Sequence, residues 1–95
     1  MTLRLYARAE VVRILHVDSR LLARLEAEEI VESRRGRYTA EDLERIRIAA
    51  ELADLDVNDA GIEVALRMRE QWLAERRELH GVIETLRARL SSRRP

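Results

Sequence analysis

The stretch Gly36-Arg37-Tyr38-Thr39-Ala40-Glu41-Asp42-Leu43-Glu44-Arg45-Ile46 changes local period from turn to extended segment to helix, and the rest of the chain can be read outward from it. Gly36 suits a tight turn, and Tyr38 and Thr39 suit extended backbone. Thr39 followed three residues later by Asp42 is a variant of the capping box, in which two side chains satisfy the first free amides of a helix. Behind it Leu43, Ile46, Ala50 and Leu52/Ala53 recur at 3.6-residue spacing, which predicts an amphipathic helix ending near Asp54. Just upstream, the β-favouring pair Ile30-Val31 with Glu32, then Ser33-Arg34-Arg35-Gly36-Arg37, predicts a small hairpin, or wing, closed against Tyr38-Thr39.

Toward the N-terminus, Ala9, Val11, Val12, Ile14, Leu15 and Val17 fall at helical spacings, giving a short helix over about 8–15 and a turn at His16-Val17-Asp18. Asp18 or Ser19 can cap the next helix, which carries Leu21, Leu22 and Leu25 to about Ala27. Two short helices joined by so tight a turn have the form of a helix-turn-helix.

Toward the C-terminus, Asn58 can cap a last helix that nothing after Gly61 need stop before Pro95; Gly81 is tolerated at about 1 kcal/mol relative to alanine. Thirty-odd residues make a rod on the order of 50 Å, longer than so small a head can cover. Leu79, Ile83, Leu86 and Leu90 step by four, three and four, an a/d seam that wants a partner helix. Trp72 extends one seam position backwards, whereas Arg69 and Arg76 occupy the other. The near half is therefore expected to pack on the head through Ile62, Leu66, Met68 and Leu73. The organisation expected is a head over 1–57 and a long helix over 58–95.

Composition bounds what such a chain can do. It has 95 residues, 38% charged and 3% aromatic, with no cysteine, so disulfides and thiolate metal sites are excluded. His16 and His80 stand alone, the three glycines form no phosphate-cradling loop, and no serine has a recognisable base beside it; neither catalysis nor a cofactor is expected. No secretory leader or membrane-length apolar run is visible, so a cytoplasmic location is the default expectation. The balanced total of 18 arginines and 18 acids hides blocks of charge. Residues 1–25 and 33–37 each net +3, 26–32 net −4, 38–66 net −6, and 67–95 net +4. Blocked charge speaks to partners more than to fold.

Two stretches, Tyr6 to Val31 with its Leu22…Glu26…Ile30 spacing and Gly36 to Ile46, resemble the MerR-like winged-helix head. Leu55-Asp56-Val57-Asn58-Asp59-Ala60-Gly61-Ile62-Glu63-Val64-Ala65-Leu66-Arg67-Met68 is similar, more narrowly, to the CbpM chaperone-modulator family, in which a Gly-Ile-x-Val-Ala-Leu run opens a long terminal helix. The resemblance implies an all-α chain with a small β-hairpin wing: a MerR-like winged helix-turn-helix head followed by a long C-terminal coiled-coil helix. It also implies binding to the J-domain of a DnaJ-like co-chaperone and restraint of its work with the Hsp70 DnaK. A J-domain of that kind presents a basic helix, so the partner-binding candidates are acidic: Glu41, Glu44, Glu51, Asp54, Asp56 and Asp59, with Glu26, Glu28 and Glu29 as a second patch. Homodimerisation is expected through Trp72, Leu79, Ile83, Leu86 and Leu90. The alternative is a small MerR-type DNA-binding regulator using Arg20, Arg24, Arg34, Arg35 and Arg37. Where DNA-binding relatives have Leu-Arg-Tyr-Tyr-Glu, this chain has Leu22-Ala23-Arg24-Leu25-Glu26, and Glu29 replaces the glycine that usually follows. Phosphate neutralisation supplies much of DNA affinity, so these departures favour a protein partner.

Overall fold

The computed structural model describes residues 3–93. Its elements run β1 (Tyr6–Ala7), α1 (Arg8–Leu15), α2 (Ser19–Ala27), β2 (Arg37–Tyr38), α3 (Ala40–Asp54) and α4 (Asp59–Ser92). The chain is mostly helical, with one two-stranded antiparallel sheet pairing Tyr6 with Tyr38 and Ala7 with Arg37. The 34-residue α4 outgrows the head, and the molecule measures 62 × 31 × 20 Å.

The helices start where the capping side chains fall. Asp18 accepts from the Arg20 amide at 2.8 Å, and Asn58 Oδ1 accepts from the Gly61 amide at 2.8 Å. Thr39 and Asp42 form the reciprocal box, at 3.1 and 2.8 Å. Two helices also end alike. After α2 the Ile30 amide reaches the Leu25 carbonyl at 2.9 Å while Glu29 bonds Glu26 at 3.0 Å; after α3 Val57 reaches Leu52 and Asp56 reaches Ala53, both at 3.0 Å. Each is a Schellman closure, which needs one left-handed residue, here Glu29 (φ 57°) and Asp56 (φ 63°). His16 (φ 53°) ends α1 in the same backbone region.

The expected hairpin forms only at its tip, where Arg34 bridges Arg37, and Ile30-Val31 does not pair with Tyr38-Thr39. The amides of Ile30 and Val31 both bond the Leu25 carbonyl, so they close α2 and are not available to a ladder. Their side chains, 3% and 2% exposed, enter the core instead. Arg34 and Arg37 exchange backbone hydrogen bonds at 2.8 and 3.0 Å across Arg35 and Gly36, both at positive φ, a two-residue type I′ turn. The strand that leaves this turn pairs with Tyr6–Ala7 at the other end of the head.

One core joins every helix: Val11, Val17, Leu22, Leu25, Ile30, Val31, Tyr38, Leu43, Ile46, Ala49, Ile62 and Leu66. Ala9 and Ile14, expected inward, are exposed, and Ala49 rather than Ala50 takes the fully buried place on α3. The expectation for the near half of α4 holds for Ile62 and Leu66, and Leu73 is half-buried; Met68 is 63% exposed. At about 100° per residue Met68 lies some 120° around the helix from Ile62, too far to share its face. Polar ties flank the α3–α4 contact: Arg69 to Glu41 at 2.7 Å, Arg45 to Glu70, and Arg45 Nη2 to the Ile30 carbonyl at 2.7 Å.

Candidate protein-docking surface

The nine acidic candidates do not form one face. Glu51 and Asp54, on the last turns of α3, share a groove with the α1–α2 turn. Leu15, Val17, Leu21 and Ala50 supply its apolar lining, and His16 and Asp18 stand on the side opposite α3. Arg47 also lines this groove, but its guanidinium is held by Glu44 and by Glu51, the latter at 2.5 Å. The hydrogen bond from Arg47, then the charges of Arg47 and Arg69, hold the Glu44 carboxyl below its ordinary value against the opposing effect of partial burial. The same contact raises Arg47 above the ordinary guanidinium value. Glu51, Asp54 and Asp18 are the carboxylates this groove presents, over an aliphatic floor.

The other acids are placed elsewhere. Glu41 is tied to Arg69 where α3 crosses α4. Asp59 pairs with Arg24 at 3.3 Å, so a partner-binding candidate and a DNA-binding candidate hold each other. Asp56 is the left-handed residue after α3, and Glu28 and Glu29 form the C-terminal cap of α2. Glu26 faces inward. It accepts from the hydroxyl of Tyr38, which is 1% exposed, and from Arg8 at 3.1 Å, and Arg8 also donates to the Ser19 carbonyl at 3.0 Å. Glu26 thus joins α1, α2 and β2, and its role in this arrangement is to fix the head.

Among the described residues no ion pair forms at Arg20, Arg34, Arg35 or Arg37, all exposed. On α4 the seam candidates are also uncovered: Trp72 56%, Leu79 60%, Ile83 36%, Leu86 53% and Leu90 63% exposed. Arg76 lies over the Trp72 ring, 5.3 Å from its centre.

Sequence reading missed the α1–α2 half of the groove. Leu15, Leu21 and Ala50 were legible as helix faces, but a groove arises from how two faces splay, which no single period encodes. His16 carried one signal, its place in a turn too tight to hide an imidazole.

No group of three or more potential metal ligands is found among the described residues, and none of their helices is long and apolar enough to cross a membrane. In comparisons with known proteins, no family model, no curated protein and no solved structure matches this chain.

Proposed function

We propose that this chain is a cytoplasmic chaperone modulator: a MerR-like winged helix-turn-helix head with a dimeric coiled-coil tail, binding the J-domain of a DnaJ-like co-chaperone and regulating its work with the Hsp70 DnaK. It acts by binding alone, with no catalytic step and no cofactor. The observation that carries the reading is the groove between the α1–α2 turn and the end of α3, where Asp18, Glu51 and Asp54 rim an aliphatic floor. A basic amphipathic helix fits that chemistry, its cationic side chains meeting the rim and its apolar ones the floor. Complementary charge of this kind governs encounter rate and partner choice more than final affinity.

The test measures association of a purified J-domain with the wild type and with Glu51→Lys/Asp54→Lys. Lysines at the C-terminal end of α3 suit the helix dipole, so helicity should hold. The expected result is slower association, on the order of 10-fold, with little change in dissociation, and a similar slowing of wild type by added salt. Loss of binding on reversing Arg34, Arg35 and Arg37 instead would place the contact on the turn and discard the groove.

A second reading, a small MerR-type DNA-binding regulator, rests on Arg20, Arg34, Arg35 and Arg37, exposed and without acidic partners among the described residues. Arg24, the remaining cation of that set, is engaged by Asp59.

A further inference from the structure

The exposed apolar side chains of α4 form a longer line than the heptad seam. Val64, Met68, Trp72, Leu79, Val82, Ile83, Leu86 and Leu90 are each between 36% and 63% exposed. At about 100° per residue they fall within one stripe roughly 100° wide, running about 40 Å along the helix. The stripe lies well away from Ile62, Leu66 and Leu73, which face the head. The near half of α4 therefore has two apolar faces, one covered by the head and one covered by none of the described residues.

We propose that a second copy of this chain packs along α4 from Val64 to Leu90, so that the self-association seam runs beside the head rather than starting beyond it. This deepens the dimeric reading above and extends it over the head-proximal turns. Area is the first argument. At roughly 100 Å² of uncovered surface per side chain, Leu79, Val82, Ile83, Leu86 and Leu90 offer only about 500 Å² per copy, whereas a standard interface takes about 800 Å² from each partner. Adding Val64, Met68 and Trp72 brings the stripe to about that figure. Charge is the second argument. At the same rotation per residue Glu75 lies within the stripe, and its margins carry Glu78 and Arg89 on one side and Arg76 and Arg87 on the other. A face of mixed sign complements a second copy of itself, whereas a helix lying on an anionic lipid surface would be flanked by cations alone.

The test is sedimentation of the full chain from about 1 to 100 µM, without any J-domain, so that its failure is separate from failure of the chaperone reading. The comparison is wild type against Val64→Asp/Met68→Asp, with the milder Met68→Gln as a second probe. Both sites are exposed and turned from the head, so circular dichroism should be unchanged. Wild type should be dimeric at tens of micromolar, and the double variant should weaken the dimer at least about 10-fold, since each aspartate would be desolvated in the seam. Met68→Gln should weaken it less. Trp72, the single tryptophan, should shift its emission to shorter wavelength as wild type associates and not in the double variant at equal concentration. An unchanged dimer constant in Val64→Asp/Met68→Asp confines the seam to the far half and overturns the proposal. So does a wild type that stays monomeric and binds anionic phosphatidylserine vesicles, which would make the stripe a lipid-facing surface.

Discussion

Tyr38 holds the head together through its hydroxyl as well as its ring. The ring is buried in the core and the hydroxyl donates to Glu26, which Arg8 also holds. Tyr38→Phe keeps the ring and removes the donor; because Arg8 still holds Glu26, the expected loss is about 1–2 kcal/mol, read as a shifted denaturation midpoint at unchanged slope. Glu29 shows the opposite situation, a side chain where none is wanted. Its φ of 57° places a Cβ in the left-handed region, which costs roughly 1–2 kcal/mol for an ordinary residue. Glu29→Gly should raise stability by about 1 kcal/mol, and Asp56→Gly by less, because aspartate tolerates that region better. If thermal melting shows Glu29→Gly to be neutral or worse, Glu29 makes a favourable contact that its cap geometry does not show. Glu44 contributes through pH. Its carboxyl is lowered from 4.5, mainly by the Arg47 hydrogen bond, so its stabilisation is full above 4.5 and fades as pH falls through the lower folded value. The side chain is 40% exposed, which keeps the contribution small. Wild type should exceed Glu44→Gln in urea midpoint at about pH 7, and the gap should narrow as pH falls below 4.5.

At the level of elements, the helices, the turn at Gly36 and the extended Tyr38 were legible, and the partner of that strand was not. The caps at Asp18, Thr39 and Asn58 act within three residues, and a 3.6-residue period is written in the order of side chains, so helix starts could be read directly. Ile30-Val31 misled because β propensity reports a side chain that packs well, and here it packs while the backbone closes α2. The true strand partner, Tyr6–Ala7, lies 30 residues away, and no local pattern announces a two-residue pairing at that distance. Met68 misled in a similar way: apolar residues on both faces of α4 were assigned to one. Two glycines on that helix give a paired test. A Cβ at Gly81 would meet nothing within 4 Å, so Gly81→Ala should stabilise by about 1 kcal/mol through helix propensity. A Cβ at Gly61 would fall 2.8 Å from Val57 Cγ1 and 3.2 Å from the capping Asn58 oxygen. Gly61→Ala should therefore lose most or all of that gain by disturbing the cap, and an equal rise in melting temperature for both variants would show that the first turn of α4 yields freely.

Across the whole molecule, charge that looked like blocks along the chain is only partly neutralised in space, and this decides how far each partner reading can be carried. Residues 38–66 carry a net −6 that already includes Arg47, the partner of both Glu44 and Glu51; arginines from outside the segment meet only Glu41, Asp59 and Glu63. The pairs of Glu41 and Asp59 depend on helix crossings, as does the groove at Glu51 and Asp54, which is why the acidic segment could be read from the sequence while that groove could not. The same reckoning applies to the basic side. Of the five arginines offered to nucleic acid, Arg24 is engaged by Asp59, leaving Arg20 and the turn residues Arg34, Arg35 and Arg37. Four guanidinia can neutralise phosphate, but phosphate contacts position a protein without reading sequence. Duplex DNA should therefore bind weakly and without sequence preference. The logarithm of affinity should fall against the logarithm of salt with a slope no steeper than about −4, one counterion released per contact. Reversing Arg34, Arg35 and Arg37 should remove most of that slope, whereas Glu51→Lys/Asp54→Lys, which adds cations elsewhere on the head, should leave any specific binding unimproved. A discrete, sequence-selective complex that survives physiological salt would reverse the ranking, because four free arginines would then be shown to read DNA and the acid-rimmed groove would lose its claim as the principal surface.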